Sequence, residues 1–336
     1  MRLRTRTLIK NHRLLPNRPD QMKARKTYHL SWPGHTLTLG RQTCIMGVVN
    51  VTPDSFSDGG KFFDCDTAVA QGVKLAAEGA AIIDIGGEST RPFSDPISDE
   101  EEIRRVVPVI EQLSRRISIP ISIDTTKAAV ARRALEAGAS IINDVSALRF
   151  DPGLAAVAVE YDTPLILMHM LGDPKRMQQS PHYDNLIAEI RNFLADAAKK
   201  AQNLGISPAK IILDPGIGFG KTVAHNLMLI KHLPEFEPLN HPILIGASRK
   251  SFIRKILKQT QESDIQPDLP LVETGSQAAA AAAILNGAHI VRVHDVAGTL
   301  ATAKIVDAIV NADDSGQMTE VRGQTTDGNG QRSDDG

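Results

Sequence analysis

Residues 81–124 read AIIDIGGESTRPFSDPISDEEEIRRVVPVIEQLSRRISIPISID, and the fold is legible from this stretch outward. Ala81 to Ile85 is a short β-branched run with polar Asp84 and Glu88 at its carboxyl end. Glu100 to Leu113 then sets Ile103, Val106 and Ile110 on one helical side, before Pro120 to Ile123 opens a second run that ends at Asp124. Apolar strand, polar terminus, amphipathic helix, strand is the reading of a parallel βαβ unit.

The same unit recurs along the chain. Further runs are Cys44 to Val49, Ser140 to Ile142, Pro164 to Met168, Lys210 to Leu213, Pro242 to Ile245 and His289 to Val293, making eight with the two above. Strands buried on both faces of a parallel sheet read as continuous apolar segments in this way. Thr67 to Glu78 is another helix by period, with Val69, Val73 and Ala76 on one side, while Gly79, Gly138, Gly205 and Gly287 are expected as helix stops. Strict alternation admits a closed barrel or a doubly wound sheet. No G-x-G-x-x-G follows the first strand, and polar residues end all eight, so an α/β (β/α)8 TIM barrel is expected. Tyr28 to Leu30 and Thr36 to Leu39, flanking Trp32-Pro33-Gly34, are read as a hairpin that closes the barrel floor. The expected organisation is a basic leader over 1–27, a single catalytic barrel domain over 28–312 and a disordered polar tail over 313–336.

Composition narrows the function. The chain has 336 residues, 42% of them hydrophobic, and 38 basic side chains balance 39 acidic ones, so nothing global points to nucleic acid or a membrane surface. Its two cysteines, Cys44 and Cys65, have no metal-ligand or redox spacing, which fits a reducing cytoplasm. The most apolar stretch, Ala278 to Ala288, is broken by Asn286 and Gly287 and is shorter than the roughly 20 residues a membrane span requires. The leader carries Arg2, Arg4, Arg6, Lys10, Arg13 and Arg18 with no acidic residue before Asp20. It lacks the serines of a transit segment and the interleaved aromatics of a nucleic-acid arm, and is read as a solvated tail.

In a (β/α)8 barrel the active site lies at the carboxyl ends of the strands. The residues there are Asn50, Asp84 with Glu88, Asp124, Asn143 with Asp144, His169, Asp214, Ser248 with Arg249 and Lys250, and Arg292 with His294. Any one of them could simply bond the following turn. Together they supply acceptors, donors and cations suited to one polar ligand. His182, His225, His232 and His241 are read as surface residues, and His169 as a support to the site. Lys221 follows Gly218-Phe219-Gly220, but the spacing does not satisfy a P-loop.

Residues 46–60, MGVVNVTPDSFSDGG, resemble the first signature of the dihydropteroate synthases, and 84–92, DIGGESTRP, resemble that family's second loop. Further matches follow in order at 124–127, 142–145, 167–170, 214–221, 248–251 and 292–295, so the likeness covers roughly Thr43 to Ala308. The resemblance implies an enzyme that displaces diphosphate from 6-hydroxymethyl-7,8-dihydropterin diphosphate with the amine of 4-aminobenzoate, forming dihydropteroate. It implies a pterin pocket of Asp124, Asn143, Asp214, Lys250 and Arg292, whose acceptors and donors complement the heterocycle's edge. Diphosphate would be met by Asn50, Thr90, Arg91, Arg292 and His294, with Asn50 also a ligand to Mg2+. The 4-aminobenzoate would lie against Arg91, Phe219, Lys250 and Ser251. Asp124, Lys250, Arg292 and His294 would carry catalysis by stabilising charge in a dissociative transition state. A homodimer is implied as well.

The chain departs from the family pattern at Phe93, Ser94, Leu171 and Asp173, and Phe93 is expected to alter sulfonamide sensitivity. An inhibition constant unchanged by Phe93→Gly would remove that expectation. Two alternatives stand beside the synthase: a pterin-dependent corrinoid methyltransferase, which needs no diphosphate site, and a catalytically silent pterin-binding protein. The cations at 90–91, 248–250 and 292–294 argue against both.

Overall fold

The computed structural model describes residues 24–52, 65–89, 95–258 and 264–312. A hairpin of β1 (Tyr28–Trp32) and β2 (His35–Leu39) comes first. The barrel follows as β3 (Cys44–Asn50), α1 (Cys65–Ala77), β4 (Ile82–Gly86), α2 (Asp99–Ser114), β5 (Ile121–Asp124), α3 (Ala128–Glu136), β6 (Ile141–Asp144) and α4 (Gly153–Glu160). It continues through β7 (Leu165–Met168), α5 (Leu186–Asn203), β8 (Ile211–Asp214), α6 (Val223–Lys231), β9 (Leu244–Ile245), α7 (Ser251–Leu257), α8 (Pro270–Leu285), β10 (Ile290–Val293) and α9 (Val296–Val310).

Each expected run holds one of these eight parallel strands, ordered β8-β7-β6-β5-β4-β3-β10-β9. A parallel bridge between Leu213 and Ile243 brings the two ends together, with the Leu213 N–H donating to the Pro242 carbonyl at 2.9 Å. The runs opened by Pro120, Pro164 and Pro242 begin as strands only beyond the proline. Proline has no N–H to give the ladder, yet its carbonyl still serves: Pro120 O accepts from Ile83 at 3.1 Å and Pro164 O from Ile142 at 3.0 Å. Gly79, Gly138, Gly205 and Gly287 each follow a helix with φ between +100° and +115°. At Gly138 a side chain would also press on Ser114, whose Cβ would lie 2.6 Å away.

Two-residue alternation along the strands sorts the interior. Met46, Ile82, Ile141, Ile166, Ile212, Leu244 and Ile290 form one buried cluster with Leu30, Trp32 and Leu39 of the hairpin, so the hairpin plugs the barrel floor as expected. The alternate residues, among them Ile83, Ile85, Ile123, Leu167, Leu213 and Val291, pack outward with the helices in a second cluster. Two positions beyond the floor layer, the inward face becomes polar.

Arg25 lies beneath the barrel, donating from Nη1 to Thr43 Oγ1 at 2.7 Å and to Ala288 O at 2.6 Å, and pairing through Nη2 with Asp307 of α9. Asp307 in turn accepts from the Thr43 N–H at 2.7 Å. Residues 1–23 and the tail 313–336 lie outside the described residues. Among those described, no helix is long and apolar enough to cross a membrane.

Candidate active site at the barrel mouth

The polar layer is organised around Asp84, a residue with no exposed surface. Its Oδ2 accepts from Arg292 Nε at 2.6 Å and from Asn143 Nδ2 at 3.2 Å. Arg292 Nη2 donates to Asp124 Oδ2 at 2.8 Å, so one guanidinium is held between carboxylates from β4 and β5. Burial opposes the Arg292 charge, but Asp84 and Asp124 outweigh it and hold the pKa above its ordinary value. Asp124 is pushed up to about 7, by burial first, with Arg292 opposing and Asp84 and Glu102 adding to the rise.

Asp214, at the end of β8, accepts from the Gly216 N–H at 2.7 Å. Burial pushes it up to about 6 against that hydrogen bond and the charges of Lys250, Lys221 and Arg292. Lys250 caps α7 and sends its ammonium to 4.1 Å from the Phe219 ring centre, a cation–π contact. Gly218 leaves room for the lysine stem, since a Cβ there would lie 3.0 Å from Lys250 Cδ. Val145, Met168, Met170, Met177 and Phe219 form a small apolar wall beside these charges. Asp124, Asn143, Asp214, Lys250 and Arg292 therefore share one mouth.

Other expected residues take different places. Asn50 ends β3, half-buried and opposite Gly86. His294 is half-buried, its Nδ1 3.0 Å from Ser248 Oγ. Ser251 starts α7 and is exposed. Thr90 and Arg91 lie outside the described residues, as do Phe93 and Ser94. Arg249 turns away to Glu273 of α8. Asp144 serves the following turn, accepting from Ser146 N at 2.8 Å and Leu148 N at 2.5 Å. Asp173 does likewise, accepting from Arg176 N at 3.0 Å, and Leu171 packs on Gly220.

His169 lies just beyond β7, beside the Asp214 backbone. It is 5% exposed and accepts at Nδ1 from Lys221 Nζ at 2.9 Å, and burial, then Lys221, drives its pKa down to about 2. Lys221, set aside with the P-loop, is itself only 4% exposed and is pushed down to about 7 by burial. Of the histidines read as surface, His182 is exposed, whereas His225 and His232 are half-buried. His241 is a correction: it is 7% exposed, packed at the turn that leads into β9.

Two features escaped the sequence reading. Asp84 was recognised as a strand end but given no role, although counting two residues on from the floor residue Ile82 places it in the polar layer. Lys127 carries no signal along the chain beyond its place in the 124–127 motif. Its ammonium donates to Glu88 and Glu102 at 2.7 Å each and to the Ile97 carbonyl at 2.8 Å, joining both ends of the β4–α2 connection. Beside it opens a cavity of about 500 Å³ lined by Glu88, Glu102, Asp124, Thr125, Lys127 and Phe150.

A barrel whose floor is sealed and whose mouth gathers paired carboxylates, an amide and two cations at the carboxyl ends of its strands has the arrangement of a (β/α)8 enzyme with a polar site. The model of the pterin binding enzymes matches residues 46–294. The chain is 47% identical over 270 residues to dihydropteroate synthase of Synechocystis, spanning 80% of this chain and 91% of that one. It is 44% identical over 268 residues to the Escherichia coli enzyme, spanning 80% and 92%. The structure of Xanthomonas albilineans dihydropteroate synthase with 4-aminobenzoic acid superposes with a TM-score of 0.78 at 42% identity, covering 86% of this chain and 100% of that one. The chain belongs to the dihydropteroate synthase family.

Proposed function

We infer that the mouth condenses 6-hydroxymethyl-7,8-dihydropterin diphosphate with 4-aminobenzoate, releasing diphosphate and 7,8-dihydropteroate. The observation that carries this reading is the Asp84–Arg292–Asp124 arrangement, with Asp214 close enough to feel the charges of Arg292 and Lys250. Asp124 and Asp214 accept from the pterin's N–H groups, Asn143 supplies the mixed donor–acceptor pattern, and Lys250 donates to ring acceptors. Arg292, with Nε and Nη2 taken by carboxylates, keeps its plane fixed against the heterocycle.

Asn50, Thr90, Arg91, Arg292 and His294 receive the diphosphate. Among the described residues no group of three or more His, Cys, Asp or Glu could hold a metal ion. That donor set fits Mg2+ bound through the Asn50 amide oxygen, water and substrate phosphates, because this ion commonly keeps several waters and few protein ligands. The ion would neutralise charge on the departing diphosphate. Phe219, Lys250, Ser251 and Arg91 form the arylamine side. The amine is weakly basic and needs no strong general base, so the chain's contribution is orientation and stabilisation of leaving-group charge, with Asp124 favouring a cationic pterin methylene.

A cytoplasmic homodimer completes the reading. Leu269, Leu271, Leu285, Ile305 and Ile309 are 41–65% exposed on or beside α8 and α9, which pack together, and such apolar surface suits a second copy. A diphosphate-release assay with both substrates, with and without Mg2+, tests the function. Turnover dependent on 4-aminobenzoate is expected, and binding of pterin without release would favour a silent binder or a methyltransferase instead.

A further inference from the structure

The 215–221 loop has no ladder of its own, with left-handed backbone at Gly216, Gly218 and Gly220 (φ +74°, +84° and +67°). Its shape comes from side chains that reach three consecutive carbonyls. Gln178 Nε2 donates to Gly218 O, Lys221 Nζ to Phe219 O at 2.9 Å, and Tyr183 OH to Gly220 O at 2.9 Å. Of the three donors, only Lys221 is buried and lies within the loop, and its ammonium is seated on His169 Nδ1 at 2.9 Å. An apolar side chain of similar volume would pack at this place without the desolvation a buried lysine incurs. What the lysine supplies is the direction of the Phe219 carbonyl, and through it the ring that lies 4.1 Å from Lys250 Nζ.

We propose that Lys221, seated on His169, is a positioning residue that sets the Phe219 ring against Lys250 and so shapes the arylamine half of the site. This rests on the synthase reading above. Lys221 touches no reacting atom; it acts through the backbone of Phe219. In the pterin half, the hydrogen bonds among Asp84, Asn143, Arg292 and Asp124 join β4, β5, β6 and β10 without this loop, while Asp214 of β8 meets the loop at the Gly216 N–H, five residues before Lys221.

Steady-state kinetics with the full chain and titration of the pterin diphosphate test the proposal. His169→Phe keeps an aromatic ring beside Phe193 but removes the acceptor. It should raise KM for 4-aminobenzoate about tenfold, the size of one hydrogen bond to a charged group, with kcat and pterin affinity within about threefold of wild type. His169→Asn restores an acceptor near the Nδ1 position and should recover most of the loss. Lys221→Met should match or exceed His169→Phe in the arylamine KM; its charge also bears on Asp214, so the comparison between the two substrates is read from the His169 variants. An unmoved arylamine KM, a parallel rise in both substrate constants, or His169→Asn no better than His169→Phe would overturn the proposal while wild-type turnover leaves the synthase reading standing. A wild-type chain that releases no diphosphate sinks both.

Discussion

Arg292 donates from Nε to Asp84 at 2.6 Å, and the carboxylate that receives it has no exposed surface. The pair joins β10 to β4 across the barrel interior and fixes the cation that faces the ligand. Asp84 is thus the base on which Asn143, Arg292 and, through Arg292, Asp124 are set.

Removing that base leaves a buried guanidinium half-paired. Asp84→Ala should lower stability by about 3–5 kcal/mol, the usual cost of stripping one partner from a buried ion pair. Urea unfolding reads the loss. A midpoint equal to wild type would show that Arg292 finds another partner.

Asp214→Ala addresses the ligand more than the fold. Loss of a charged hydrogen bond to the pterin should weaken its binding by about 1.5–3 kcal/mol, measured by calorimetry. Unchanged affinity would place the pterin elsewhere in the mouth.

The raised carboxylates give a pH dependence with a definite sign. Asp214 at about 6 and Asp124 at about 7 bind protons in the folded state that the unfolded chain has already released. Their contribution to stability is fully present below the ordinary carboxylate pKa, near 4, and is lost as pH rises through 6 and 7. The ligand-free protein should therefore show a thermal midpoint that declines over that window, and Asp214→Asn should flatten the decline. Pterin affinity should run the other way, rising as both carboxylates ionise to accept its N–H groups. A wild-type midpoint that rises from pH 4 to 7 with the same slope in Asp214→Asn would contradict this account.

At the opposite end of the barrel, Arg25→Ala should destabilise without disturbing chemistry. The Arg25 side chain is 3% exposed and Asp307 12%, and Asp307 keeps its hydrogen bonds from Thr43, so loss of the cation should cost about 1.5–3 kcal/mol while kcat and both substrate constants stay at wild-type values. Denaturation and kinetics on one preparation separate the two effects.

The sequence by itself determined the barrel, because eight apolar runs with polar ends and helical connections leave few other ways to bury every strand on both faces. It also marked Asp124, Asn143, Asp214 and Arg292, which stand at or next to the end of a run, and Lys250, which lies five residues beyond one and is marked by its motif. Only the tertiary structure decided which polar end faces inward to its neighbours and which serves its own turn. Asp84 and Asp144 look alike along the chain, yet Asp84 points across the barrel to Arg292 while Asp144 accepts from the turn that follows it. Arg25, Lys127 and Lys221 were silent for the same reason: their partners lie up to 282 residues away, and pairing over such separations is settled by closure of the barrel, not by local pattern.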